Sequence, residues 1–224
     1  MNRRTLLSGL IAAGALGKLS AQQSSGHPKT EGAGMTSDQA LSALVEGNQR
    51  FVSGHSKHPD QKMARVKELA GTQHPFATIL GCSDSRVDPD IIFDQGLGDL
   101  FPVRVAGNIV DDAVLGSIEY AVEHLNCPLV VVLGHEGCGA VTAAVNGGEP
   151  GTHITFLVDA IMPAVTEAKG GTGDVISNAV RINATRQAEI IRASKPILDK
   201  AVSEGKTRVV VAIYDVKTGQ VKVI

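Results

Sequence analysis

Tryptophan is absent from this 224-residue sequence, and all aromatics together make up only 3% of it. Nucleic-acid surfaces pair basic residues with stacking aromatics. Too few aromatics are present for that, and a net charge of −2 provides no basic field. Nucleic-acid binding is therefore not expected. Cysteine is scarce as well: three residues, an odd number with no paired spacing. That argues against a disulfide framework in any compartment. What the sequence does have is ordinary for a globular protein with one substantial core: 43% hydrophobic and 20% charged residues. It has no internal repeats.

The first residues stand apart. Arg3 and Arg4 are followed by Leu6 and Leu7, then by an apolar run from Leu10 to Leu16 rich in alanine and glycine. That run is too short to span a bilayer. A basic head, an apolar middle and a small-residue end read as a signal peptide over 1–21, and the paired arginines fit the twin-arginine type. Cleavage is expected near Ala21 and export to the periplasm follows; an uncleaved tail is the alternative. Residues 22–35, rich in Gln, Ser and Gly, read as a flexible linker, with His27 a solvated part of it. The folded domain is expected over 36–224.

Within that domain, Thr36, Ser37 and Asp38 signal a helix start, and Leu41, Leu44, Val45, Phe51 and Val52 then recur on one helical face. Further helices are expected over 62–70, 90–93, 111–125, 138–145, 155–169, 175–192 and 197–204. Strands are expected over 76–81, 100–105, 128–133 and 208–214, with a turn and a fifth, edge strand over 216–221. The unbroken apolar run from Leu129 to Leu133 suits a strand buried on both faces. Alternation of strands and helices predicts an α/β fold: a mainly parallel sheet of four to five strands flanked by helices.

Two stretches carry the chemistry: Gly81-Cys82-Ser83-Asp84-Ser85-Arg86 and Gly134-His135-Glu136-Gly137-Cys138-Gly139. Each begins where a predicted strand ends, and ligand sites in open α/β sheets gather at those carboxyl ends. Two thiolates and one imidazole suit zinc(II) and leave one position over, the pattern of a catalytic site. The helix expected to start near Cys138 favours a thiolate there, and Gly137 and Gly139 allow a tight turn. Asp84 and Arg86 can pair across a short loop. So held, Asp84 can orient a zinc-bound hydroxide; freed, it could become a fourth ligand and close the site. A purely structural salt bridge is the alternative. Cys127, left over, reads as a small buried hydrophobe.

With these stretches in place, the chain closely resembles the β-class carbonic anhydrases. The C-S-D-S-R and G-H-x-x-C-G signatures match in full, and Asp99 to Asn108 looks like the family segment between them. The resemblance implies one Zn²⁺ per subunit and reversible hydration of carbon dioxide to bicarbonate and a proton, through zinc-bound hydroxide. It also implies a pocket that includes Gln73, Phe101, Ala106, Tyr120 and Gly139. Some of these residues would come from a neighbouring subunit, hence a homodimer or a dimer of dimers. His124, four residues after Tyr120, falls where related enzymes have a candidate proton shuttle; a plain surface histidine is the alternative. One subgroup of the family regulates itself through a bicarbonate pocket containing a tryptophan. Ile79 stands at that position, so the plant-like subgroup with an open site is expected. His55, His58 and His153 are expected to be exposed, and His74 has no assigned role. Two other readings stay open: a related zinc hydrolase acting on carbon disulfide or carbonyl sulfide, and a non-catalytic zinc-stabilised protein.

Overall fold

A five-stranded sheet in the order β2-β1-β3-β4-β5 organises the molecule. The structure, a computed structural model, describes residues 34–147 and 151–224. The segment 1–21 and nearly all of 22–35 lie outside the described residues. In chain order the elements are α1 (Ser37–Val52), α2 (Met63–Glu68), β1 (Ala77–Gly81), α3 (Pro89–Ile92), β2 (Leu100–Arg104), α4 (Asp112–Glu123), β3 (Leu129–His135), α5 (Gly139–Val145), α6 (Ile154–Lys169), α7 (Val175–Ala193), α8 (Leu198–Ser203), β4 (Arg208–Tyr214) and β5 (Val221–Val223). Strands β1 to β4 are parallel and β5 pairs antiparallel to β4. No helix among the described residues is long and apolar enough to cross a membrane.

Local chemistry sets the helix starts. Thr36 caps α1 in a reciprocal box: its side chain accepts from the Gln39 N–H while the Gln39 side chain accepts from the Thr36 N–H. Asp88, Asp111 and Asp174 cap α3, α4 and α7 in the same sense, each accepting a backbone N–H three residues on.

The strands alternate strictly. Leu80, Val130, Val132, Val209, Val211 and Ile213 face a core built with α4 to α8. Ala77, Ile79, Leu129, Val131, Leu133, Val210 and Ala212 face the other side, covered by Ala40 and Leu44 of α1 and by Ile92 of α3. Both faces being covered is why the central strands are apolar throughout. Each fully buried Ile or Leu adds about 1.5–3 kcal/mol through removal from water. Gly47 lets α1 approach closely, because a Cβ there would collide with the Phe93 carbonyl oxygen.

Three boundaries differ from expectation. Strand β3 runs two residues beyond Leu133, since β4 continues alongside and pairs Gly134 with Ile213 and His135 with Tyr214. The candidate ligand His135 thus sits on a strand, not in a loop. The last strand is Val221–Val223, later than 216–221. Asp215 takes the intervening stretch into a turn by accepting from Lys217 N–H and the Thr218 hydroxyl. Residues 69–71 form a 3₁₀ turn after α2 in place of a continued α-helix.

Asp90 in α3 is pushed up to about 6, first by burial and then by the Asp88 and Asp99 carboxylates. Its folded pKa lies above the unfolded value of about 3.9, so the folded state holds a proton that the unfolded state has lost. The stability this proton brings is complete below the unfolded pKa and is lost as pH rises through about 6. Asp90→Asn is therefore expected to raise the urea midpoint most at pH 8 and by a clearly smaller margin at pH 5, part-way between the unfolded and folded pKa. An equal gap at both pH values would contradict the assignment.

Candidate metal centre

The carboxyl ends of β1 and β3 lie side by side, Gly81 paired with Leu133. Cys82 follows β1 directly, His135 ends β3, and Cys138 occupies the capping position of α5. The ligand atoms of all three residues lie within 4.8 Å of one another, and all three residues are buried. The two sulfurs are 3.9 Å apart. Two Zn–S bonds of about 2.3 Å at a tetrahedral angle put sulfurs about 3.8 Å apart, so the spacing suits a single ion. His135 Nδ1 lies 3.2 Å from the Glu136 carbonyl oxygen. Its Nε2 is buried with no hydrogen-bond partner. A buried ring nitrogen without a partner, facing two sulfurs, is what a metal would satisfy.

Without metal, the two thiols share a proton. Cys82 is held well below the usual thiol range, chiefly by the hydrogen bond from Cys138 and also by that from the Gly107 N–H. Cys138 is pushed up by the same bond and by burial. A divalent ion displaces that proton, because thiolates are the ligands. Cys127 lies apart from the trio. It is buried, accepts from the Thr78 hydroxyl and faces the Leu129 carbonyl, and burial pushes its thiol up.

The loop after Cys82 is braced from two sides. Arg86 grips Asp84 with both prongs, Nε to Oδ1 at 2.9 Å and Nη2 to Oδ2 at 2.7 Å, and its own backbone N–H adds a third bond. This fork holds the Asp84 carboxyl well below the usual carboxylate range. Asp84 Oδ2 lies 4.0 Å from His135 Nε2, beside the sulfurs. From β2, Arg104 donates to the Cys82 carbonyl at 3.1 Å and to the Asp84 carbonyl at 2.8 Å. Arg104 was not singled out in the sequence; its place at the end of the neighbouring strand was the available signal. Glu136, between the ligands, accepts from Ser177 of α7 at 2.8 Å.

The remaining expected pocket residues divide. Ala106 lies in the turn against Cys82, and Gly139 opens α5 beside Cys138. Gln73, Phe101, Tyr120 and His124 belong elsewhere on the single chain. Phe101 pairs with Thr78 near the start of β1, about 13 Å along the chain direction from Cys82. Its ring is 6.3 Å from that of Tyr120, which is 5.2 Å from His124. His124 ends α4 three residues before Cys127, which touches Thr78. Gln73 is exposed and precedes the amino end of β1. The aromatic group therefore sits toward the amino ends of the strands, away from Cys82 and Cys138 at the carboxyl ends, with Tyr120 47% exposed. His55, His58 and His153 are exposed, and Ile79 is fully buried in the core.

A family model described as carbonic anhydrase matches residues 77–221, a stretch that contains the whole cluster. The chain belongs to the β-class carbonic anhydrases. Carbonic anhydrase 2 of Mycobacterium tuberculosis is 42% identical over 185 residues, covering 81% of this chain and 89% of that protein. A carbonic anhydrase of Mycolicibacterium smegmatis is 51% identical over 130 residues, 56% of this chain and 63% of that protein. Among solved structures, the β-carbonic anhydrase of Coccomyxa in complex with acetazolamide superposes with a TM-score of 0.63 at 28% identity, covering 82% of this chain and 86% of that one. As a carbonic anhydrase, the chain interconverts carbon dioxide and bicarbonate. Its candidate metal residues, Cys82, His135 and Cys138, sit at the two strand ends where the sheet topology brings the loops together.

Proposed function

We propose that this carbonic anhydrase is a zinc enzyme of the plant-like, open-site type, and that Cys82, His135 and Cys138 hold one Zn²⁺ per subunit. The observation that carries the reading is the partnerless, buried His135 Nε2 facing two sulfurs spaced for a single tetrahedral ion. Zinc in such a site acts as a Lewis acid that brings a water's pKa from 15.7 toward about 7.

The chain's own residues do the rest. Asp84 Oδ2 accepts a hydrogen bond from the attacking oxygen and fixes where its lone pair points. Arg86 keeps Asp84 ionised and bonds both its carboxylate oxygens, which would keep it from acting as a ligand itself. Ala106 and Gly139 give the reacting carbon a small apolar wall. Gln73, Phe101 and Tyr120 serve the site of a neighbouring subunit, because each lies toward the amino ends of its own strands, away from its own Cys82. That arrangement requires a homodimer, or a dimer of dimers. His124, exposed and with its ring 5.2 Å from that of Tyr120 at a tilt of 44°, passes protons to buffer from that same shared pocket. Residues 1–21 export the protein through the twin-arginine route to the periplasm, with 22–35 as a tether to the domain 36–224.

Metal analysis and stopped-flow hydration on the purified protein test the reading together. One zinc per chain and rapid carbon dioxide hydration are expected, with loss of both after prolonged chelation. Turnover of carbonyl sulfide or carbon disulfide without hydration would overturn the substrate, and a metal-free but folded, inactive protein would overturn the centre.

A further inference from the structure

Helix α7 buries two side-chain amides that the scheme above does not use. Asn183 is 1% exposed and Gln187 3%. Buried amides need partners, and theirs form a line that ends at a metal ligand. The Val110 N–H donates to Gln187 Oε1 at 2.8 Å. Gln187 Nε2 donates to Asn183 Oδ1 at 3.0 Å. Asn183 Nδ2 donates to the Gly107 carbonyl at 2.9 Å. The Gly107 N–H, in turn, donates to the Cys82 sulfur at 3.3 Å.

Gly107 needs this support. Its φ is +74°, and a Cβ there would meet the Ile161 side chain at 2.7 Å. Asn108 follows with φ 44°, so two successive residues are left-handed. Such a turn has no strand ladder to hold it. The α7 amides hold it at both ends, Gly107 through Asn183 and Val110 through Gln187.

We propose that Asn183 and Gln187 are positioning residues for the metal centre: they fix the Gly107 turn so that its N–H stays aimed at the Cys82 sulfur. An N–H donated to a thiolate draws charge from the sulfur and orients its lone pairs, and outer partners of this kind tune metal affinity. The inference rests on the reading that Cys82 binds the metal. If the amides only fasten helix to turn, their loss lowers stability and leaves the metal's surroundings unchanged.

Asn183→Leu and Gln187→Met keep size and remove the hydrogen bonds. Leu198→Ala, a buried change in the same core, is the control for stability alone. In the purified full-chain protein, zinc release to a chelator and the thiolate-to-metal charge-transfer band of the cobalt(II)-substituted form are measured beside thermal melts. Asn183→Leu is expected to release zinc about 10–100-fold faster and to shift the band. Gln187→Met changes both in the same direction by less, since it reaches Gly107 only through Asn183 and Val110. Leu198→Ala melts lower with release and band as in wild type. Should Asn183→Leu fail to fold, Gln187→Met decides. Wild-type release and an unshifted band in the folded variants overturn the proposal. Wild-type protein that takes up neither zinc nor cobalt overturns the metal reading itself, a separate result.

Discussion

His135→Ala and Cys138→Ser are each expected to lower carbon dioxide hydration by about 10³-fold or more, with loss of any zinc the purified protein holds. The magnitude follows from what the ion supplies: without it, water ionises with a pKa of 15.7 and is a poor nucleophile at neutral pH. Both residues are buried where two strand ends meet, so neither loss can be made up by solvent ligands without opening the core. His135→Ala also leaves a cavity beside the paired sulfurs. Metal content, hydration rate and a melt are read on the same preparation. A folded variant with full metal and full activity would falsify the ligand assignment.

Asp84→Ala has the second-largest effect and a different signature. Hydration is expected to fall about 10²–10³-fold with metal content unchanged, the range expected when a positioned hydrogen-bonding group is lost from a reacting centre. Asp84 is held well below the usual carboxylate range by the Arg86 fork, so it stays ionised at neutral and alkaline pH. Its removal should therefore lower the whole pH–rate curve instead of shifting its midpoint. Arg86→Ala frees the carboxylate and should approach the loss seen with Asp84→Ala. Arg86→Lys should not restore the rate, because a point charge cannot reproduce two parallel bonds to Oδ1 and Oδ2. Zinc loss in Asp84→Ala, or near-normal rates in Arg86→Ala, would show that this pair serves the fold and not the reaction.

These two predictions draw on different kinds of information. Cys82, His135 and Cys138 were legible because few residue types bind zinc and because each stretch followed a readable strand. The Asp84–Arg86 pair was legible because residues two apart in a short loop can reach each other. Most elements were equally readable: Arg208–Tyr214 stands as expected, and the helix starts carried their own caps. What local pattern missed was context. His135 became part of β3 only because β4 is long enough to pair with it. Arg104, at the end of β2, braces the metal loop only because β2 lies next to β1.

By itself the sequence determined the donor atoms, the α/β class and the family, since ligand chemistry, strand periodicity and capping are written in residues close along the chain. The tertiary structure alone decided which residues share a site. Strand register and helix length set Phe101, Tyr120 and His124 toward the amino ends of the strands and Cys82, His135 and Cys138 at the carboxyl ends, and folded the amides of α7 against the turn beside Cys82. Distances of that kind depend on how whole elements stack, and no window of neighbouring residues contains them.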